Sequence, residues 1–161
     1  MAALVLVSAF CMAQKANVKK AKNLLIAEVP DYTTARQLME EALKNPETAD
    51  LADTWFQAGM VGYAQNEKLN IEAMMGQAVD DYVKGQAITE SYDYFVKADE
   101  MASTMILDKK GREVMKDAKT RKAIVPKMMS YYDSQDFIKY GIFLNDQKDY
   151  ANAYSAFMRH L

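Results

Sequence analysis

The chain has 161 residues and a mass of 18.2 kDa, with 50% hydrophobic and 26% charged residues, enough for one domain with a real core. Only 6 glycines and 3 prolines are available for tight turns, which favours an all-α fold over a sheet-and-turn fold. A net charge of -2 and a pI near 5.5 supply no basic field for a phosphate backbone, so nucleic acid is not an expected partner.

The start, "MAALVLVSAFCMAQ", is apolar from Ala2 to Phe10 and then reaches Cys11-Met12-Ala13. Two readings are open: residues 1–13 are a signal peptide clipped of its basic beginning, or they are an apolar first helix. The abrupt switch to "KANVKKAK" favours the signal, with cleavage between Ala13 and Gln14. The stretch is too short to span a bilayer. The bulky Phe10 before Cys11 argues against lipid attachment there. The mature region from residue 14 then has no cysteine, hence no disulfide framework or cysteine metal site.

Helical periodicity follows almost throughout. In "DYTTARQLMEEALKNP", Ala35, Leu38, Met39, Ala42 and Leu43 share a face, Asp31 is placed to cap, and Asn45-Pro46 is placed to stop the helix. Glu40 and Lys44 form a pair one turn apart on its wet side. In "ADLADTWFQAGMVGYAQ", Asp50 is the expected cap, and Trp55, Ala58, Gly59 and Gly62 line one face. Further helices are expected near Ile71 to Val83, Ile88 to Met105, Pro126 to Asn145, and from Tyr150 to the end, with Pro126 in a first turn. "TMILD" reads as a helix end rather than a strand.

The last of these segments, "FIKYGIFLNDQKDYANAYSAF", places Phe137, Tyr140, Gly141 and Leu144 on a first helix and Tyr150, Ala153 and Phe157 on a second. This resembles the tetratricopeptide repeat, Trp-x2-Leu-Gly-x2-Tyr followed by Ala-x3-Phe. Tyr32, Ala35, Met39, Ala42 and Pro46 fit the second-helix half of an earlier unit. Trp55, Ala58 and Gly59 fit a first helix whose partner residues, Ser91, Phe95 and Ala98, come after about 20 extra residues compared with the usual unit. The resemblance implies a helical-hairpin solenoid of about three degenerate units over residues 14–161. No capping helix follows Phe157, so the chain is expected to be a fragment of a longer one, or to have that end covered by a partner or another copy.

In this family the first helices line a concave groove. The resemblance therefore implies that Phe56, Met60 and Tyr63, with Ile138, Ile142 and Asn145 of the last unit, face a ligand. Each triplet is rotated by about 100 degrees from the core stripe of its helix. The competing reading is that these side chains pack against neighbouring helices.

Catalytic chemistry has little to use. His160 is the only histidine and the mature region has no cysteine, so neither a nucleophile-histidine pair nor a histidine metal site can be assembled. Adjacent carboxylates such as Asp80-Asp81 and Glu40-Glu41 diverge by about 100 degrees on a helix. No glycine spacing fits a phosphate loop. The chain is expected to be no enzyme, and to need no cofactor and no metal.

One segment stands apart in charge: "DKKGREVMKDAKTRK", Asp108 to Lys122, holds seven basic residues against three acidic ones, an excess of four. It is read as an exposed linker helix that could dock an acidic surface. The whole reading is a protein or peptide interaction scaffold, exported from a bacterial cytoplasm into the periplasm or another extracytoplasmic space. Its alternatives are a glycan or small-ligand accessory of an outer-membrane uptake system, with a closed pocket around Trp55, Phe56 and Tyr63, or a homo-oligomer joined through the C-terminal helix.

Overall fold

The computed structural model describes residues 15–161 apart from Asp133. The signal-like residues 1–13 lie outside the described residues. The fold is mostly helical: α1 (15–25), α2 (Tyr32–Lys44), α3 (Pro46–Ala49), α4 (Ala52–Met74), α5 (Asp81–Ser103), α6 (Ala118–Tyr132), α7 (Asp136–Asp146) and α8 (Tyr150–His160). A hairpin of β1 (Met105–Leu107) and β2 (Glu113–Met115) separates α5 from α6. Among the described residues no helix is long and apolar enough to cross a membrane.

The start of α2 follows its sequence signal. Asp31 accepts a hydrogen bond from Thr34 N at 2.9 Å and another from Thr34 Oγ1 at 2.7 Å, and these bonds hold its carboxyl below the usual range. Asn45 ends α2 and at once caps α3, where Pro46 occupies the first turn. Asp50 closes α3, and Leu51 is the residue that caps α4.

Several expectations are corrected. No helix runs from Ile71 to Val83: α4 continues to Met74, Gly76 turns the chain at φ 79°, and Asp80 restarts it by accepting from Tyr82 N and Val83 N. α5 accordingly begins before Ile88. "TMILD" is strand rather than helix end, and Asp108 to Lys122 is not a linker helix. There Asp108 Oδ1 accepts from Lys110 N at 2.7 Å and Arg112 N at 3.0 Å, folding the chain back before a helix can continue. Finally, Pro126 sits inside α6 rather than in a first turn, and α6 and α7 are two helices broken at Ser134–Gln135.

The helices pack in antiparallel pairs. Trp55 and Phe56 on α4 meet Tyr94 and Phe95 near the far end of α5, at ring separations of 5.9 and 5.7 Å. The residues between Gly59 and Ser91 thus lengthen both helices and supply the link between them. A Cβ on Gly59 would fall 2.5 Å from the Phe95 ring, and one on Gly141 would fall 2.5 Å from the Phe157 ring, so the same small-against-aromatic crossing recurs in α4/α5 and α7/α8.

Three apolar clusters run along the described residues. Ala21, Ala35, Met39, Ala58 and Val61 join α1, α2 and α4. Ile88, Phe95, Ile124, Tyr131 and Phe137 join α5, α6 and α7, with Tyr131 Oη donating to Ser91 Oγ at 2.9 Å in the buried interior. Leu144, Ala153 and Ala156 close the last pair. That pair seats on α5 through the Tyr140 ring, which fills the space a side chain at Gly85 would need, and through two ion pairs, Lys84 to Asp136 at 3.0 Å and Arg159 to Asp93 at 2.7 Å.

Candidate functional site

The six candidate groove residues do not form one surface of the same kind. Phe56, Met60 and Tyr63 are half-buried and pack against the central cluster. Phe56 stacks on Phe95, while Tyr63 lies 6.0 Å from Phe95 and 5.9 Å from Tyr131. Tyr63 is also met by α6, whose Lys127 Nζ stands 4.2 Å above its ring. On α7, Ile138 is half-buried, whereas Ile142 and Asn145 are exposed.

Met60 and Tyr63 have a second side. Together with Leu25 at the end of α1, Pro30 from the α1–α2 link, Tyr32 from α2, and Ile71 and Met75 from the end of α4, they line a groove of about 600 Å³. Its position follows from local sequence. The α1–α2 link is held at its base, where Asp31 N donates to Leu24 O, and Tyr32 Oη reaches Ala64 O at 3.4 Å. The extra turns of α4 then extend past this link and supply Ile71 and Met75.

The groove has an apolar floor and a charged rim of Glu28, Glu67, Lys68 and Glu72, with Lys68 and Glu72 paired at 3.6 Å. Burial, reinforced by the charge of Glu72, pushes the Tyr32 hydroxyl pKa up, so Tyr32 stays a neutral donor. Burial lowers the pKa of Lys127, and the charge of Glu67 opposes it. Beside the groove stand large apolar side chains in water: Ile26 is 84% exposed, Val29 80% and Met74 87%. Such a cluster of isolated apolar groups around a concavity is the usual mark of an interaction site.

Sequence reasoning reached Met60 and Tyr63 and missed the rest of the lining. Ile71, Met74 and Met75 fall within a helix expected from Ile71 to Val83 rather than at the end of α4, and Ile26 and Val29 lie in a link without periodicity. The available signal was "LLIAEVP", which places apolar residues in a link too short to bury them.

Comparison with protein-family models, curated proteins and solved structures finds no match. The site is therefore read from its own chemistry. Trp55 donates from its indole nitrogen to Ala49 O at 2.7 Å and packs on Tyr94, and Phe56 is stacked on Phe95. Trp55 and Phe56 are thus engaged in packing, while Tyr63 also keeps a side on the groove.

Proposed function

We propose that the chain is a non-catalytic scaffold of tetratricopeptide-like helical hairpins that binds peptide segments of other proteins. The observation that carries this is the apolar groove between the α1–α2 link and α4, with Met60 and Tyr63 in its lining and exposed Ile71 and Met75 at its mouth. A groove with aromatic and methionine anchors suits a segment presenting apolar side chains in sequence. The repeated crossing of Gly59 on Phe95 and Gly141 on Phe157 supports the hairpin-repeat reading. Export from a bacterial cytoplasm, to the periplasm or another extracytoplasmic space, is part of the same proposal, supported by the apolar run Ala2 to Phe10 and its Ala13-Gln14 junction.

The test is selection of a random peptide library on the full chain, followed by affinity measurement on Ile71→Asp with Met75→Asp. Both positions are exposed, so the fold tolerates the change. Selected peptides should be rich in apolar residues and lose about tenfold or more in affinity on the double variant. If every selected peptide binds the variant as well as the wild type, the groove is not the site.

A second reading has one observation in its favour. Tyr150, Tyr154, Met158 and Leu161 are all exposed along α8, a continuous apolar stripe suited to pairing with another copy. Light scattering behind size exclusion decides it: a mass that stays monomeric at all concentrations removes self-association.

A further inference from the structure

The basic segment has a surface of its own, distinct from the groove above. Met105 lies directly opposite Met115 in the hairpin, and Leu107, two residues on, shares their face. Met105 is 54% exposed, Leu107 69% and Met115 39%. Met115 continues into a groove of about 310 Å³, lined with Ala118, Arg121, Lys122, Val125 and Pro126 of α6. Hairpin and helix thus present one uncovered apolar strip, and it is fixed in place: Lys116 N donates to Thr104 O at 2.8 Å and Asp117 N to Ala102 O at 3.1 Å, tying the hairpin base to the end of α5.

The charge around this strip is one-sided. The stretch Asp108 to Lys122 carries four positive charges in excess, while the chain as a whole is at -2, so all other residues together carry six negative ones. Arg112 is taken by Asp108, and Lys116 by Asp50. Arg121 lies 3.3 Å from Asp99 but is not aligned for a hydrogen bond. Lys109, Lys110 and Lys122 make no ion pair among the described residues.

We infer that the β-hairpin and α6 form a second docking surface, whose occupant is an acidic protein segment with apolar anchors. Apolar side chains of the segment lie along Met105, Met115 and Val125, and its carboxylates meet Lys122 and the lysines of the hairpin turn. Charge complementarity of this kind sets partner choice and encounter rate. An anionic membrane fits less well, because the turn Asp108–Arg112 is the charged tip and the apolar residues are behind it. Burying Leu107 in a bilayer would carry Lys109, Lys110 and Arg112 in first. A nucleic acid would leave the apolar floor unused, finds no ring to stack on in this lining, and meets the negative remainder of the molecule.

The experiment selects random peptides on the full chain and counter-selects on Lys122→Glu with Val125→Asp. Both residues are exposed on α6, and circular dichroism melts check that the variant stays folded. Peptides that survive should combine Asp or Glu with Leu, Ile, Met or aromatic residues. They should weaken roughly tenfold on the variant and bind less tightly as salt rises. They should retain their affinity on Ile71→Asp with Met75→Asp, which separates this surface from the first groove. The inference is overturned if no peptide distinguishes the two proteins or if the survivors show no acidic bias. It is also overturned if phosphatidylserine vesicles or single-stranded DNA bind the wild type more tightly than the selected peptides do.

Discussion

Replacing Gly59 by alanine strains the α4/α5 crossing at one point. The added Cβ falls 2.5 Å from Phe95 Cδ1, 2.6 Å from Cε1 and 3.1 Å from Ser91 O. Carbon atoms rest at about 3.5–4.0 Å, so the ring or the helix must retreat by roughly 1 Å. The ring has nowhere to go, since Phe95 is fully buried between Phe56 and Tyr63. Overpacking costs about 1–3 kcal/mol, and with the ring pinned the upper end applies. The better helix propensity of alanine returns about 1 kcal/mol, which leaves a net loss of about 2 kcal/mol. In urea the midpoint should fall with an unchanged slope, and the thermal midpoint should drop by roughly 4–8 °C. Because the clash is with ring atoms, Phe95→Leu should absorb it, so the two changes together should be less damaging than their sum by about 1 kcal/mol or more. A Gly59→Ala midpoint at or above wild type, or an equal loss in the Phe95→Leu background, would refute the crossing described here.

Two further outcomes test other parts of the fold. Glu90 pairs with Arg36 at 2.7 Å, yet burial outweighs that attraction and raises its carboxyl pKa. Its contribution to stability is therefore complete below the unfolded-state pKa of a glutamate and is lost as pH rises through the higher folded value. Arg36→Met should push Glu90 higher still and move that loss to higher pH, readable by carbon NMR titration and by urea midpoints across pH; an unmoved or lowered Glu90 titration contradicts this. Pro126 interrupts the hydrogen bonding of α6 from within. Pro126→Ala should therefore stabilise by about 2 kcal/mol, seen as a raised thermal midpoint, and an unchanged or lower midpoint counts against it.

The local part of the fold was legible in the sequence, and the long-range part only where a strong pattern carried it. Asp31 and Asn45-Pro46 announced α2 because caps act within three or four residues along the chain. Trp55, Ala58 and Gly59 found Phe95 across a long gap because a small residue opposite an aromatic ring is specific. The break at residues 75–80 was hidden, since Ile71, Ala78, Val79 and Val83 keep a helical rhythm that says nothing of the left-handed turn at Gly76. The hairpin was missed because strands of 3 residues offer no periodicity, and Met and Leu are helix formers. Phe56, Met60 and Tyr63 do share one side of α4, but Tyr63 is met by Tyr131 and Lys127 of α6, more than a helix-length away in sequence, and no local signal could place that helix there.

The seating of the last helical pair has a mechanical consequence. The Tyr140 ring in the notch at Gly85 acts as a pin, blocking sliding of α7 along α5, while the two ion pairs act as struts anchored at Lys84 and Asp93, roughly 13 Å apart along α5. The pin is steric and insensitive to solvent. The struts are electrostatic, and the outer one, on a half-exposed Asp93, is screened by salt. Raising ionic strength is therefore expected to weaken the outer strut while leaving the pin in place, so the last pair should stay seated on α5 but be held less stiffly.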